Sequence, residues 1–244
     1  MSTAKRSVKK LLGKVFKSSR LKSGDRWAIK FTTPENYWFL RHKKLEGEFR
    51  SSGHTYLTDE ENKADYDMKR REIQRVLTQH KPAGKCVRLL DAGCGTGLFM
   101  PVFLDLGFEV TGMDFASPQA GRSPNLAGVN IIEGDICELP VEAASFDVIA
   151  CIDVLFHVID NTKWRSFFDN VASALTPNGI LIIQVALSED ENYQGVVRHC
   201  HMRRRRDYDS ATEAAGFQLL EAHRYTLPVE PTHKDILVYS RKVV

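Results

Sequence analysis

The chain has 244 residues, of which 43% are hydrophobic and 27% charged, so its composition is that of a globular protein with room for a sizeable core. No apolar run approaches the roughly 20 residues of a membrane-spanning helix, and no uninterrupted apolar segment near the N-terminus marks a secretory signal. The five cysteines are odd in number and form no C-x-x-C pair, which predicts a reduced, cytoplasmic protein without a zinc site.

Residues 1–22 form a basic tail. They carry eight lysines and arginines and no acid, which leaves 26 basic and 31 acidic side chains, a net charge of −5, in the rest of the chain. Apolar residues recur at helical spacing in this tail: Val8, Leu11, Leu12, Val15 and Phe16. Such a helix is compatible with peripheral contact at an anionic membrane surface or an acidic partner, with packing on the core, and with a mitochondrial transit peptide.

Residues 23–84 are predicted to form a helical and irregular cap in front of the core. A helix should begin at Thr58, where acids fill the first turn, and run to about Thr78, because helix-breaking residues come next at 81–84. The segment before this helix is rich in aromatic side chains, among them Tyr37. Core packing is one role for these aromatics, and contact with a ligand is the other.

The most informative motif lies at residues 87–97. An apolar strand-like run reaches Asp91 and is followed by three glycines at alternate positions: Gly93, Gly95 and Gly97. This pattern predicts a buried strand that turns sharply into a helix, with a backbone that can approach a ligand closely. In a dinucleotide-binding loop the third glycine follows the second by three residues. Here it follows by two, which disfavours a nicotinamide-dependent dehydrogenase.

Strand-like segments alternate with helical stretches from residue 87 onward. The later predicted strands cover residues 108–114, 129–136, 146–151, 180–187, 217–221 and 235–240, and a helix is predicted at 209–215. This alternation predicts a mostly parallel sheet with helices on both faces. Residues 115–128 contain prolines and glycines that predict a loop or one broken turn.

Two of these predicted strands have an aspartate at or near their carboxyl end. Asp114 lies 23 residues after Asp91, close to the offset of about 20 residues at which an acid meets ribose hydroxyls in nucleoside-binding α/β folds. Asp135 comes directly after Gly134 at the end of the next strand. Capping of a helix or a turn is the alternative role for each carboxylate.

Together, these motifs resemble the signature of the class I S-adenosylmethionine (SAM) dependent methyltransferases over residues 85–186. The resemblance implies a doubly wound seven-stranded sheet whose last strand is antiparallel, in a core over residues 85–244 with an acceptor-side insertion at about 187–210. It implies that the glycine loop admits the methionine and ribose parts of SAM and that Asp114 binds the ribose. The full set of cofactor-binding residues that it implies is Asp91, Gly93, Gly95, Gly97, Asp114, Asp135 and Ile136, with the last two at the adenine.

The residues after the fourth predicted strand indicate the acceptor chemistry. The Asn/Asp-Pro-Pro-aromatic sequence of many amino methyltransferases is absent there, and the chain has no Pro-Cys nucleophile of the kind that cytosine C5 enzymes use. We therefore expect an oxygen acceptor, and a hydroxyl acceptor benefits from a general base. His157 is the first candidate for this base and Asp153 the second, while a place for His157 in the pocket wall stays open.

An arginine-rich stretch covers residues 198–208, where family members build an acceptor-binding insertion. Its side chains could pair with phosphate or carboxylate, so His199, His201 and Arg203 are candidate substrate contacts, as is Tyr37 in the cap. The alternative is a solvated charge run. No third ligand accompanies the two histidines, so no metal is expected.

The predicted function is O-methylation of a small molecule or of a sugar- or glycan-linked intermediate, with S-adenosylhomocysteine (SAH) as product. An RNA or protein methyltransferase is one alternative, and a SAM-binding regulator without catalysis is another. The net charge of −5 outside the tail disfavours nucleic acid. The expected partner is therefore a small acceptor, anionic or sugar-containing, in the cytoplasm or at a membrane surface reached through residues 1–22.

Overall fold

The computed structural model describes residues 34–45, 48–116, 128–139, 141–188, 200–230 and 232–242. The helices are α1 (Pro34–Lys44), α2 (Asp59–His80), α3 (Met100–Asp105), α4 (Asn161–Ala174) and α5 (Arg205–Ala214), with short 3-10 helices at Phe49–Ser51 and Leu155–His157. The strands are β1 (Val87–Ala92), β2 (Phe108–Asp114), β3 (Asn130–Glu133), β4 (Phe146–Ile152), β5 (Leu175–Val185), β6 (Phe217–Thr226) and β7 (His233–Arg241).

The strands form one seven-stranded sheet in the order β3-β2-β1-β4-β5-β7-β6. All neighbouring pairs from β3 to β5 are parallel, whereas β7 pairs antiparallel with both β5 and β6. The predicted doubly wound, mostly parallel sheet with an antiparallel last strand is thereby confirmed. The strand order reverses between β1 and β4, and ligands of such sheets bind at this point, outside the carboxyl ends of the strands.

Helices cover both faces of the sheet. On one face, α2 packs through Ile73 and Leu77 against strand residues such as Leu89. On the other face, α4 packs through Phe167 and Phe168 against residues of the opposite pleat, including Leu90. Strands buried on both faces need apolar side chains at successive positions, which is why the central strands could be recognised as continuous apolar runs.

The helix predicted to begin at Thr58 is confirmed. The Thr58 side chain accepts a hydrogen bond from the backbone N–H of Glu61, and the Glu61 side chain accepts one from the N–H of Thr58. This reciprocal cap satisfies two backbone donors that a helix start otherwise leaves unpaired. α2 continues to His80, two residues beyond the predicted end.

Several predicted boundaries differ from the structure. β5 begins at Leu175, before the predicted start at residue 180, and β6 extends to Thr226. α1 was not predicted, and it lies in the aromatic-rich segment before α2. Its buried positions include Tyr37 and His42, while the apolar side chains of Phe39 and Leu40 are exposed. This pattern gives no apolar stripe at the helical period.

Some predictions concern residues outside the described ranges. They are the basic tail at 1–22, the start of the predicted cap at 23–33, the interior of the loop predicted at 115–128, and residues 189–199 of the predicted acceptor-side insertion, which include His199. Within the described ranges, no helix combines the length and apolar character needed to cross a bilayer.

Candidate active site

A cavity of about 330 Å³ lies at the carboxyl ends of β1, β2 and β4, where the strand order reverses. The glycine loop, the end of β2 and the turn after β3 form one part of its wall. The segment after β4 and the cap helix α1 form the other part. The predicted residues that line it are Asp91, Gly93, Gly95, Asp114, Asp135, Ile136, Asp153 and His157.

The loop after β1 requires glycine at two positions. Gly93 and Gly95 have φ angles of +85° and +54°, in the left-handed region. A Cβ atom on Gly93 would lie 2.4 Å from a methyl group of Val154, and one on Gly95 would lie 3.1 Å from Cε1 of His42. The loop is thus pressed between the segment after β4 and the cap. Gly97 also has a positive φ, and its N–H donates to the carbonyl of Cys94, so it closes the turn.

Asp114 connects the end of β2 to this loop. Its Oδ2 accepts a hydrogen bond from the N–H of Gly95 at 3.0 Å, and its Oδ1 accepts one from the N–H of Ala116 at 2.7 Å. Burial raises the pKa of Asp114 despite these two bonds. Each carboxylate oxygen can accept a second hydrogen bond, so Asp114 can bind ribose hydroxyls while it holds the loop.

Asp91 carries a buried oxygen that lacks a partner. The residue is 2% exposed, and among the residues that the structure describes its Oδ2 has no hydrogen-bond donor. Burial, and then the charge of Asp114, raise the pKa of Asp91 to about 8. Buried polar atoms in proteins are almost always hydrogen-bonded. An unpaired carboxylate oxygen beside a cavity therefore fits a ligand with a cationic amino group, such as the amino-acid end of SAM.

Asp135 and Ile136 lie on the wall beyond Asp114. Asp135 accepts a hydrogen bond from the N–H of Cys137 at 2.9 Å and pairs with Nζ of Lys163 at 2.9 Å. Burial opposes its ionisation, but these two donors hold the pKa of Asp135 below its usual value. Ile136 is buried. An apolar side chain next to an ionised carboxylate suits a ring with an exocyclic amino group, as in adenine.

His157 lies in the wall of the cavity, at the end of a short 3-10 helix. Its ring stacks edge-on against Trp38 of α1, with ring centroids 4.8 Å apart. Its Nδ1 lies 3.4 Å from Sγ of Cys200. The structure thus brings His157 into the wall of the cavity, and its role as general base stays a prediction.

Asp153 takes a different role from the predicted one. Its carboxylate lies 2.6 Å from Nζ of Lys69 and 2.5 Å from Nζ of Lys234. Burial raises its pKa, but the two ammonium groups outweigh burial and hold the pKa well below the usual range. A carboxylate stabilised in this way is a poor proton acceptor. The prediction of Asp153 as general base is therefore not supported, and we describe it as the counter-ion of two buried lysines.

Three of the four predicted substrate contacts, Tyr37, His201 and Arg203, make contacts within the protein, and the fourth, His199, lies outside the described residues. Arg203 is 5% exposed, and its guanidinium donates to the carbonyl of Val158 at 3.0 Å and stacks over the ring of Trp164. It therefore holds the segment after β4 in place, as does the N–H of His201 through the carbonyl of Phe156. Tyr37 is buried and accepts a hydrogen bond from Arg41. Tyr37, His201 and Arg203 are not among the described residues that line the cavity.

Among the cap residues that line the cavity, sequence reasoning missed Trp38 and His42 of α1 as site residues. His42 is 3% exposed, and within the described chain its Nδ1 has no hydrogen-bond partner. Burial, and then the charge of Arg41, lower its pKa to about 4, so this imidazole is neutral at physiological pH. Prediction of α1 would have been needed to find these residues. No set of three side chains suited to bind a metal occurs in the described ranges.

Comparisons with known proteins agree with this geometry. A family model described as a methyltransferase domain matches residues 59–222, more than half of the chain. A probable S-adenosylmethionine-dependent methyltransferase of Mycolicibacterium smegmatis is 30% identical over 150 residues, which are 61% of this chain and 45% of that protein. A ubiquinone biosynthesis O-methyltransferase of Rickettsia canadensis is 30% identical over 116 residues, 46% of this chain and 47% of the relative. The chain thus spans about half the length of these curated relatives.

The fold is also found among solved structures. The Burkholderia thailandensis 1,6-didemethyltoxoflavin-N1-methyltransferase, solved with 1,6-didemethyltoxoflavin and S-adenosylhomocysteine, superposes with a TM-score of 0.64. The match covers 87% of this chain and 92% of that one at 22% sequence identity. At this identity the likeness shows a shared fold.

Proposed function

Because this chain belongs to the class I SAM-dependent methyltransferases, we propose that it transfers a methyl group from SAM to an oxygen atom of a small molecule. The observation that carries the proposal is the cavity at the point where the strand order reverses, between β1 and β4. There the glycine loop, the unpaired oxygen of Asp91 and the carboxylate of Asp114 face the same space as His157. A cofactor site and a wall suited to an acceptor are thus continuous.

The residues of this cavity divide the work of binding. Asp91 would hold the amino group of SAM, Asp114 the ribose hydroxyls, and Asp135 with the backbone of Ile136 the adenine. When bound, SAM supplies a methyl carbon whose bond to the sulfonium sulfur breaks as the acceptor oxygen bonds to it, with the electron pair left on sulfur to give SAH. The chain contributes orientation and exclusion of water, which is its usual share in cofactor chemistry.

The acceptor end of the cavity is formed by Trp38, His42 and His157. We propose that His157 accepts the proton of an acceptor hydroxyl, because its imidazole lies in the wall and titrates near neutrality in its ordinary state. An oxygen acceptor also agrees with the absence of an Asn/Asp-Pro-Pro-aromatic sequence after β4. The ubiquinone biosynthesis O-methyltransferase relative, matched over 47% of its length, also favours an oxygen acceptor.

A sugar- or glycan-linked acceptor draws less support. The arginines that suggested it are largely engaged within the protein, since Arg203 is buried, Arg204 pairs with Asp207 and Arg205 pairs with Asp209. The basic tail lies outside the described residues. A free small-molecule acceptor is therefore the better proposal, and membrane contact through residues 1–22 stays a prediction.

Two experiments test the proposed function. Calorimetric titration with SAM and SAH should show binding of both, and titration with NADH should show none. Transfer of labelled methyl from SAM should then be measured into matched panels of hydroxylated and amino compounds. Uptake by the hydroxylated panel is expected, whereas uptake by amines alone would contradict an oxygen acceptor. Failure of SAM and SAH to bind would contradict the methyltransferase activity itself.

A further inference from the structure

A buried cluster with an unbalanced positive charge adjoins the acceptor end of the cavity. Lys69 of α2 and Lys234 of β7 share one counter-ion, Asp153, and the two lysine side chains are only 5% and 6% exposed. Burial, and then the charge of Lys69, lower the pKa of Lys234 against the opposing effect of Asp153, and when both lysines are ionised two ammonium groups face one carboxylate, which leaves one positive charge in excess. Asp153 lines the cavity, whereas the two lysines are not among the residues of its wall and reach it only through the Asp153 carboxylate, to which both are bonded.

Each lysine has N–H groups that do not bond to Asp153. Each ammonium group carries three N–H bonds, and Asp153 accepts one bond from each. Each ammonium group also lies near an aromatic ring, with Nζ of Lys69 4.4 Å from the ring centre of Tyr66 and Nζ of Lys234 5.2 Å from that of Phe156. Such faces favour cations but accept no conventional hydrogen bond.

Two nearby titratable groups of the described chain, His54 and Asp65, make no ion pair with either lysine. Burial, and then the charges of Lys69 and Lys234, lower the pKa of His54 to about 3, so its imidazole is neutral and adds no charge to the cluster. Asp65, one turn before Lys69 on α2, is directed at the backbone, where it accepts the N–H of Val229 at 2.9 Å.

Two uncharged side chains on the same face of the sheet also lack partners. Gln184 of β5 is 0% exposed, and neither its amide nitrogen nor its oxygen has a hydrogen-bond partner in the described structure. Tyr225 of β6 lies directly opposite Lys234 in the β6–β7 ladder, and its buried hydroxyl likewise lacks a partner within the described ranges. Gln184 lies opposite Ile236, two residues from Lys234 and on the same face. Unpaired buried donors beside an excess positive charge are the arrangement expected of an anion site that awaits its ligand.

We propose that Lys69 and Lys234, with Gln184 and Tyr225 beside them, form a subsite for a carboxylate group of the methyl acceptor. The acceptor would then be a hydroxylated organic acid, held by its carboxylate at the lysines while its hydroxyl oxygen receives the methyl group. This inference rests on the proposed O-methyl transfer and adds the class of substrate. In the proposed complex the carboxylate of the acceptor accepts hydrogen bonds from the lysines, and Asp153 holds both lysine side chains in place.

The test compares two probes that differ in charge and little in shape. The protein is saturated with SAH and titrated by calorimetry with 4-hydroxybenzoate and with its neutral isostere 4-hydroxybenzamide. We expect the acid to bind at least about tenfold more tightly than the amide, as a hydrogen bond to a charged group implies. Equal affinities, or no binding of the acid at millimolar concentration, would overturn the subsite.

Variants locate the preference within the chain. Lys69→Gln and Lys234→Gln keep a hydrogen-bonding side chain without the charge, and each should bring the two affinities close to parity. Lys63→Gln is the matched control, because Lys63 lies on the same helix and pairs with Asp67 but is exposed. It should keep the full preference. A preference that survives in both buried-lysine variants would show that the acid binds elsewhere.

SAH affinity, measured on every variant, separates the two proposals. If SAH binds to the wild type but the acid is not preferred, the carboxylate subsite fails and the methyltransferase proposal stands. If SAH does not bind to the wild type, the proposed function fails. If a buried-lysine variant loses SAH binding because it does not fold, the comparison of acid and amide on the wild type still tests the carboxylate subsite.

Discussion

Replacing Asp91 by asparagine should stabilise the cofactor-free protein at alkaline pH and weaken its binding of SAH. Asp91 ends in a buried carboxylate whose Oδ2 has no donor in the described part of the chain. Asparagine has the same shape and removes a negative charge that faces Asp114. The same substitution removes the charge that we expect to pair with the amino group of the cofactor.

The size of the effect is set by the pKa of Asp91, which burial and Asp114 raise from 3.8 to about 8. Between these two values the folded state holds a proton that the unfolded state has lost, so the free energy of unfolding falls as the pH rises and levels off above about pH 8. At about 1.4 kcal/mol per pKa unit, the loss near pH 8 is on the order of 5 kcal/mol. A buried amide without partners costs roughly 1–3 kcal/mol. Asp91→Asn should therefore gain a few kcal/mol near pH 8 and gain nothing near pH 5.

Thermal unfolding of the cofactor-free variant, followed by circular dichroism across this pH range, measures the first effect. Asp105→Asn is the control, since Asp105 is exposed at the end of α3. Calorimetry in two buffers of different ionisation enthalpy measures the second effect. The wild type should release close to one proton per SAH bound near pH 7, and Asp91→Asn should release none and bind SAH more weakly by about 1.5–3 kcal/mol. A stability difference that does not change with pH would refute the assignment of a buried, protonated Asp91.

Three further substitutions probe separate parts of the site. Asp114→Ala should weaken SAH binding by about 1–3 kcal/mol in calorimetry, since it removes a ribose acceptor and the support of Gly95; unchanged affinity would contradict the ribose role. His157→Ala should lower turnover in an assay of SAH release while SAH affinity is unchanged, and equal turnover would remove His157 as the base. Arg203→Ala should lower the free energy of unfolding by about 2 kcal/mol or more, seen as a lower melting temperature, because a buried hydrogen-bonded side chain is lost. The preference for acid over amide should not change, and a changed preference would indicate that Arg203 contacts the acceptor.

The parts of the fold that could be predicted are those whose cause lies in neighbouring residues. The central strands are apolar at successive positions because helices cover both faces, and the start of α2 is set by Thr58 and Glu61, three residues apart. α1 could not be found in this way. Its buried side is made of Tyr37 and His42, and the residues that these contact come from the glycine loop and the cap.

The same distinction separates the two halves of the site. The cofactor side depends on local geometry: glycines with positive φ angles and an acid at the end of a strand, both of which leave a pattern in the sequence. The acceptor side depends on the pairing of charges across the fold. Asp153 meets Lys69 and Lys234 over separations of 84 and 81 residues, and Arg203 reaches the carbonyl of Val158 over 45. A charged side chain near the pocket is visible in the sequence, but its role is decided by which distant group neutralises it. For this reason the motifs indicate methyl transfer, whereas the acceptor class that we propose depends on Lys69 and Lys234, which only the fold brings together around Asp153.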